Sequence, residues 1–208
     1  MSNITLLDHP VLKHKLAILR DKTTSSATFR VVMKDISSFL AYEATKDLKT
    51  KKIEVATPYM KTTVEHIDES PVIVSILRAG NGMMEGLLSS LPMACAGHIG
   101  IYRDKFTKNT VEYYFKLPEN IKDRTILLLD PIVATGDTML ACLDRLKQYG
   151  VGKVKLLTIC ISSEGAQKLH HFHKDLQIYA LSEEAELDGE GHCLPGIGDA
   201  GNRLYQNS

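Results

Sequence analysis

The chain has 208 residues, 44% hydrophobic and 24% charged, which is enough for one folded domain with a sizeable core. Its 25 basic and 25 acidic residues cancel, so composition argues against a general polyanion binder, while a local basic pocket stays open. Its apolar runs fall short of the roughly 20 residues that span a bilayer, and the N-terminal stretch MSNITLLDHPVLKHK lacks a signal-peptide pattern. We therefore expect a cytoplasmic protein with no membrane or nucleic-acid partner.

The first third of the chain carries helical periodicity followed by alternation. Apolar residues recur on one rough helical face over 10–19 and at three- and four-residue steps over 28–44, where Thr28 is a candidate N-cap. Residues 53–58 and 62–67 then alternate, which predicts a small β-hairpin. We expect two helices and a hairpin before the main sheet.

The remainder alternates short apolar strands with helical patterns, which predicts an α/β fold with a parallel sheet covered on both faces. We place the whole chain, 1–208, in one domain with its core at about 68–182. The segment 184–205 is glycine-rich and long for a structureless loop, which indicates a functional segment or a small subdomain. The predicted strands are 72–77, 98–102, 111–115, 125–130, 154–161 and 176–181, and the predicted helices are 83–91, one from Met139 to near Gly150, and one from about Ser163.

The stretch LLLDPIVATGDTM, 127–139, ends a buried strand with a carboxylate and a turn of small residues. Ligands of parallel α/β sheets bind beyond the carboxyl ends of the strands, where Asp130 lies. Backbone N–H groups of 134–138 and the following helix N-terminus can hold a phosphate, aided by the hydroxyls of Thr135 and Thr138. Asp130, itself an anion, suits vicinal hydroxyls instead, so the unit fits a ribose 5-phosphate. An ordinary turn is the competing interpretation.

Two arginines also follow predicted strands. Arg78 directly follows VIVSIL and precedes Ala79 and Gly80. Its guanidinium can contact phosphate oxygens, while the small residues allow close backbone approach. Arg103 opens the polar stretch 104–110, which taken alone predicts a hairpin tip. Arg78 is therefore a candidate anion-binding residue.

Residue types that bind metals are present but not suitably grouped. The three histidines at 170–173 have no acid or cysteine cluster nearby in sequence, so we expect them to be solvated. The four cysteines form no C-x-x-C pair, and we expect reduced structural thiols: Cys95, Cys142, Cys160 and Cys193.

The segment DPIVATGDT, 130–138, resembles the phosphoribosyl-pyrophosphate (PRPP) loop of the phosphoribosyltransferases. Most of that superfamily has two adjacent acids here, and Pro131 in the second position resembles the uracil phosphoribosyltransferase branch. Further segments extend the resemblance along the chain in order: HPVLKHKL (9–16), YEAT (42–45), ILRAGNGMM (76–84), IYRD (101–104) and LPGIGDAGNR (194–203).

The resemblance implies transfer of a phosphoribosyl group from PRPP to uracil, giving UMP and pyrophosphate in pyrimidine salvage, with Mg²⁺ bound mainly through PRPP and no certain protein ligand. It implies catalytic roles for Arg78, Arg103, Asp130 and Asp199. It implies uracil binding, under a C-terminal hood at about 183–208, by Cys193, Gly198, Asp199 and Ala200. The implied PRPP-binding residues are Arg78, Arg103, Asp130, Pro131, Ile132, Val133, Ala134, Thr135, Gly136, Asp137, Thr138 and Asp199.

The resemblance also implies a cis Arg78–Ala79 peptide, a 104–110 loop that closes over PRPP, a homodimer or homotetramer, and GTP as a candidate effector. Asn81 stands where the family usually has an apolar residue, and Asp137 stands where it usually has glycine. Asp137 adds an anion beside a phosphate cradle, which is tolerable only if its side chain turns outward, where it can serve the helix dipole. A transferase for another nucleobase and a non-catalytic RNA-binding pyrimidine regulator on the same fold are the alternatives.

Overall fold

The structure, a computed structural model, describes residues 4–103 and 110–206, with the side chain of Arg103 left out. A seven-stranded sheet of order β1-β11-β9-β7-β4-β5-β6 forms its centre, parallel except for the edge strand β6, and short sheets β12-β10-β8, β13-β14 and β2-β3 surround it. The strands are β1 (Ile4–Leu6), β2 (Thr50–Ala56), β3 (Lys61–Ile67), β4 (Val72–Leu77), β5 (Cys95–Arg103), β6 (Thr110–Lys116), β7 (Thr125–Leu129), β8 (Ile132–Val133), β9 (Lys153–Leu157), β10 (Cys160–Ser162), β11 (Gln177–Ala180), β12 (Ser182–Glu184), β13 (Glu186–Leu187) and β14 (Cys193–Leu194).

Helices cover both faces of this sheet. Alternate side chains of the buried strands point to opposite faces, so Ile73 and Leu127 pack with α1, α2 and α3, whereas Val74 and Leu128 pack with α4 and α5. No helix in the described part of the chain is long and apolar enough to cross a membrane. The helices are α1 (Pro10–Arg20), α2 (Ser26–Ala44), α3 (Asn81–Ser90), α4 (Asp137–Gln148), α5 (Ser163–Phe172) and α6 (Ala200–Tyr205).

The predicted α/β class and parallel sheet are confirmed, and the main differences lie at element ends. The second helix begins at Ser26 and is capped by the Ser25 side chain, so the Thr28 cap was wrong. The run 154–161 is divided between β9 and β10, because Ile159 and Cys160 donate to Pro131 O and leave the main sheet. The strand at 4–6 was not predicted, because three residues carry too little periodicity.

Strand order reverses between β4 and β7. From β4 the chain proceeds through α3 to β5 on one side, and from β7 it proceeds through α4 to β9 on the other. In open parallel sheets a crevice forms at such a reversal, beyond the carboxyl ends of the two strands. The loops that begin at Arg78 and Asp130 therefore meet at the same edge of the sheet.

Candidate active site

Asp130 directly follows β7 and occupies the crevice. Burial raises the pKa of its carboxyl to about 7, while a hydrogen bond from the Ile132 backbone N–H acts in the opposite direction. Its own N–H donates to Leu157 O at 3.3 Å, which fixes the strand end. Asp130 is therefore a carboxyl group whose protonation changes near neutral pH and whose charged form any bound donor or cation would favour.

The loop after Asp130 is anchored on both sides before it enters α4. Pro131 O accepts from Ile159 N and Cys160 N at 3.1 Å each, and Ala134 O accepts from Ser162 Oγ at 2.6 Å. Ile132 and Val133 form β8, and Gly136 is the left-handed N-cap of α4. The first turn of a helix carries N–H groups that have no intrahelical acceptor, so the 134–138 segment has donors that suit an anion, and phosphate binding there stays a prediction.

Asp137, the first residue of α4, turns toward α5. Its Oδ1 pairs with Lys168 Nζ, and its Oδ2 accepts from Thr135 Oγ1 at 3.1 Å. Lys168 is a partner that the sequence did not suggest, and whether Asp137 faces a bound phosphate stays a prediction. The pair balances the carboxylate charge next to the predicted cradle, while the negative side chain in the first turn also suits the helix dipole.

The loop after β4 approaches the sheet closely. A Cβ at Gly80 would lie 2.5 Å from Leu129 O and 2.6 Å from Ile76 O, so only glycine fits there. The exposed Arg78 has its guanidinium 6.0 Å from the ring centroid of Tyr205, whose hydroxyl donates to Arg78 O at 3.2 Å. The cis peptide in this loop is Leu77–Arg78, so its expected position at Arg78–Ala79 was wrong by one bond.

Asn81 replaces the apolar residue that the family resemblance led us to expect. It is the first residue of α3, and its Oδ1 accepts from the buried Ser75 hydroxyl at 2.7 Å. The same hydroxyl lies 2.9 Å from His98 Nδ1. A polar side chain therefore has partners in this position, because neighbouring strands supply them.

Arg103 is the last residue of β5, which places its backbone at the carboxyl edge of the sheet. Its side chain and the predicted lid residues 104–109 lie outside the described part of the chain. Thr110 begins β6 on the other side of that gap. The roles expected of Arg103 and of the 104–110 lid stay predictions.

The predicted hood folds back over the strand ends. β13 and β14 pair, and Cys193 Sγ lies 3.8 Å from Val133 O, which joins the hood to the phosphate loop. Burial raises the pKa of Cys193 to about 11, with a smaller contribution from Glu184, so the thiol is neutral. Gly196 has a φ of 60°, and a Cβ there would lie 2.3 Å from Cys193 O, so glycine is required at this tight turn.

A cavity of about 570 Å³ lies between the Asp130 loop and the hood. Of the predicted site residues it brings together Asp130, Pro131, Ile132, Ala134, Cys193, Gly198, Asp199 and Ala200. Ala79 of the Arg78 loop also lines it, whereas Val133 and 135–138 form the adjoining loop and helix start. A larger cavity, about 680 Å³, lies at the start of β9 and β11, away from these strand ends.

Asp199 is the N-cap of α6, and its Oδ1 accepts from Asn202 N at 2.8 Å. It is exposed and lines the same cavity as Asp130. Among residues 4–103 and 110–206 no group of three or more His, Cys, Asp or Glu side chains could by itself hold a metal ion. The histidines at 170–173 were expected to be solvated, which holds for the exposed His171. It was wrong for the half-buried His170, which contacts Leu176 O (3.2 Å), and His173, which contacts Asp144 (3.1 Å).

Sequence reasoning missed the residues that support the site from a distance. Ser162 holds Ala134 O and also caps α5 through Gly165 N at 2.8 Å. Lys168 holds Asp137, and Arg20 and Arg203 bind hood carbonyls. Of these, only Arg203 lay inside a quoted motif, because the other contacts join segments that are far apart in sequence.

A family model described as uracil phosphoribosyltransferase matches residues 6–207. A uracil phosphoribosyltransferase from Polaromonas naphthalenivorans is 44% identical over 206 residues, and one from Finegoldia magna is 45% identical over 206 residues. Each alignment covers 99% of this chain and 99% of the relative.

Solved structures give the same comparison in three dimensions. A protein from Aquifex aeolicus superposes with a TM-score of 0.93 at 33% identity, and the match covers 99% of both chains. An adenine phosphoribosyltransferase from Trypanosoma brucei superposes with a TM-score of 0.62 at 16% identity, over 92% of this chain and 88% of the other. The second likeness is one of fold alone.

Proposed function

This chain belongs to the uracil phosphoribosyltransferase family, and we propose that it transfers the 5-phosphoribosyl group of PRPP to uracil, giving UMP and pyrophosphate. The observation that carries this function is the convergence of a strand-end carboxyl, an anchored phosphate loop and a neutral hood around one cavity. The test is to incubate the protein with magnesium, PRPP and a mixture of nucleobases and to identify the nucleotide formed. Formation of a nucleotide other than UMP would contradict the proposal.

In the proposed complex the 134–138 loop binds the 5′-phosphate through backbone N–H groups and the Thr138 hydroxyl. Asp130 accepts hydrogen bonds from the ribose hydroxyls at the end of β7. Arg78 and Arg103 contact the pyrophosphate by charge-assisted hydrogen bonds. The two ends of PRPP are thus bound by loops on opposite sides of the strand-order reversal.

The reaction breaks the bond between ribose C1′ and the pyrophosphate oxygen and forms the bond between C1′ and N1 of uracil, which loses its proton. Because C1′ passes through an oxocarbenium-like state, no protein nucleophile is required. Binding aligns N1 with C1′, and the arginines stabilise charge that grows on the leaving pyrophosphate. Closure of 104–110 would exclude water, which otherwise competes with uracil.

Magnesium fits this site as an ion bound chiefly through PRPP. Mg²⁺ commonly uses one or two carboxylates together with substrate phosphates, so a cluster of three acids is not needed. Asp130 and Asp199 are the cavity carboxyls that would approach it, directly or through water. When bound, the ion supplies positive charge to the pyrophosphate. Loss of UMP formation after chelation, restored by added Mg²⁺, would test this requirement.

The hood supplies the proposed uracil site through Cys193 and the Gly198-Asp199-Ala200 turn. Gly196, Ile197 and Gly198 line the cavity, and backbone groups of such a turn suit a flat, neutral base. The nucleobase mixture separates this proposal from a transferase for a purine. An RNA-binding regulator would need a basic surface stripe, and the net charge of zero does not favour one.

A homodimer or homotetramer is also proposed, because the β2–β3 hairpin carries a strongly exposed apolar tip. Tyr59 is 96% exposed and Met60 is 68% exposed, and an exposed apolar patch of this kind suits a subunit contact. Light scattering of the wild type and of a Tyr59→Ser/Met60→Ser variant would test it. A wild type that is monomeric at assay concentration would contradict the proposal.

GTP activation and a cytoplasmic location rest on the family resemblance and on the sequence pattern. UMP formation measured with and without GTP at subsaturating PRPP tests the first. Cell fractionation of the full chain tests the second.

A further inference from the structure

Two arginines hold the same turn of the hood from outside the cavity. Arg20, at the end of α1, donates to Gly196 O at 3.0 Å, and Arg203, on α6, donates to Ile197 O at 2.8 Å. Both side chains are only partly exposed, and neither lines the 570 Å³ cavity, whereas Gly196, Ile197 and Gly198 do. The arginines therefore contact this turn without lining the cavity.

Each arginine is itself fixed by several partners. Arg20 Nη2 donates to the buried carboxylate of Glu184 at 2.7 Å and to Ser182 Oγ at 2.9 Å. Arg203 donates to Leu19 O and Asp21 O, and its guanidinium lies 4.3 Å from the ring centroid of Phe29. Neither guanidinium can move freely, so the two hood carbonyls have fixed directions.

The direction of a carbonyl also sets the direction of the next N–H, because the two are antiparallel across a trans peptide. The Gly196–Ile197 and Ile197–Gly198 peptides are trans, so carbonyls that point to the arginines turn the N–H groups of Ile197 and Gly198 away from them, and both residues line the cavity. Among residues 4–103 and 110–206 neither N–H has a hydrogen-bond acceptor. Ile197 is only 1% exposed, and a buried N–H without an acceptor is rare unless a ligand supplies one.

We propose that Arg20 and Arg203 are positioning residues for base recognition: they orient the Ile197 and Gly198 N–H groups as a pair of donors for a carbonyl oxygen of the base. This inference rests on the proposed uracil specificity. It assigns part of the base site to two side chains that never touch the base. It also explains why the N-terminal helix α1 is tied to the C-terminal hood.

The first test compares Arg20→Met and Arg203→Met with Arg30→Met. Arg30 donates to Leu204 O at 2.7 Å, so its loss removes an arginine–carbonyl contact between α2 and α6 without touching the 196–198 turn. We expect the Michaelis constant for uracil to rise at least about tenfold in the first two variants and less than about twofold in Arg30→Met. The Michaelis constant for PRPP should change less than about twofold in all three.

The second test reads the donors directly with 2-thiouracil and 4-thiouracil, since sulfur accepts hydrogen bonds poorly. In the wild type one of the two analogues should lose efficiency relative to uracil, and that loss should shrink several-fold in Arg20→Met and Arg203→Met but not in Arg30→Met. A general loss of rigidity would lower efficiency with all three bases, so it would not selectively remove the penalty for sulfur at one ring position. The variants Arg20→Lys and Arg203→Lys keep a charged donor group, so their uracil Michaelis constants and thio penalties should lie between those of the wild type and the methionine variants.

Circular dichroism checks that each variant is folded. Where a methionine variant does not fold, the lysine variant at the same position replaces it in both tests. Unchanged uracil Michaelis constants and unchanged thio penalties in folded variants would overturn the positioning role while UMP formation by the wild type still supports the proposed function. A wild type that makes no UMP would overturn both.

Discussion

The phosphate loop and the hood line the same cavity but are built in different ways. In the loop a buried strand, Asp130, a turn and the start of α4 follow one another within a few residues, so neighbours in sequence are neighbours in the site. In the hood the 196–198 turn depends on Arg20, which is 176 residues away along the chain from Gly196. The strand end and phosphate loop of the charged half, which also includes Arg78 and Arg103, are therefore encoded by neighbouring residues. The neutral half, the hood, depends in addition on a contact from the other end of the chain.

Base choice gives the largest expected effect and tests whether the neutral half reads the base through fixed backbone groups. Uracil presents an acceptor, a donor and an acceptor at O4, N3–H and O2, whereas cytosine has a donor at position 4 and an acceptor at N3. Each buried group left unpaired costs roughly 1–3 kcal/mol, so two mismatches predict discrimination of about 10⁴-fold. Competition between the two bases at saturating PRPP, read as the ratio of UMP to CMP, measures it.

Comparable amounts of UMP and CMP would break the comparison, because a hood that adapts to either base does not have fixed donors. Wild-type enzyme with uracil alone provides the reference for the assay.

The charged half is tested by Arg78→Ala and Arg103→Ala. We expect each to lower turnover with uracil by at least about tenfold, because each removes a charge-assisted contact to the leaving pyrophosphate. Arg145→Ala is a matched control, since Arg145 lies on α4 and pairs with Glu112 of β6 at 2.9 Å. Wild-type rates in a folded Arg78 or Arg103 variant would remove that residue from the site.

The sequence was most informative where chemistry and periodicity coincide. The run TILLLD predicted both a buried central strand and a carboxylate at its end, and the structure has Asp130 directly after β7. These features depend on neighbours within a few residues, which is the range that a pattern reports.

The remaining features depend on long-range packing. Nothing near Lys168 in the sequence marks it as the partner of Asp137, 31 residues away. The contact of Arg20 with the hood likewise arises only when the chain ends meet. The strands β13 and β14 are close in sequence, but two residues each carry too little periodicity to be predicted. The hood was therefore found by resemblance to a family, and its supporting residues were not found.

The pH dependence of stability tests the burial of Asp130. Because burial raises its pKa from 3.8 to about 7, the folded state holds a proton between about pH 4 and 7 that the unfolded state has lost. Its contribution to stability is thus present at low pH and is lost as pH rises through about 7. Asp130→Asn should leave ligand-free stability unchanged near pH 4 and raise it at pH 8, by on the order of 1–2 kcal/mol.

Thermal unfolding of wild type and Asp130→Asn from pH 4 to 9, without PRPP, provides the measurement. Parallel curves for the two proteins across this range would mean that Asp130 is hydrated in the free protein and that its pKa is ordinary.

A double-mutant cycle on Asp137 and Lys168 tests how the charged half tolerates an extra anion. Lys168→Met leaves the Asp137 charge uncompensated near the 5′-phosphate, a repulsion of roughly 1 kcal/mol, so the Michaelis constant for PRPP should rise about fivefold. Asp137→Asn/Lys168→Met should restore it, and Asp137→Gly alone should change it little. Lys34→Met, which breaks the exposed pair with Glu85, is the control.

Failure of the double variant to recover would mean that Lys168 itself contacts the phosphate. A clear weakening of PRPP binding in Asp137→Gly would instead indicate that Asp137 contacts metal.

Cys193→Ser gives the smallest expected effect and returns to the neutral half. The Cys193 thiol has a pKa of about 11, so it is neither a nucleophile nor a charged ligand at neutral pH, and its Sγ lies 3.8 Å from Val133 O. A serine hydroxyl can donate to the same carbonyl, and recognition by the backbone does not need sulfur. We expect uracil kinetics within about twofold of wild type and little change in Tm.

Cys142→Ser supplies the contrast that makes this result informative. Cys142 lies on α4 and is fully buried in the core, with no hydrogen-bond partner in the described residues. A hydroxyl there should therefore cost roughly 1–3 kcal/mol and lower Tm. Cys193 would then line the cavity as a side chain that serine can replace, whereas Cys142 would be needed for packing of the core. A large rise in the uracil Michaelis constant for Cys193→Ser, at unchanged Tm, would show instead that the side chain contacts the base, and recognition of uracil by backbone groups alone would fail at that position.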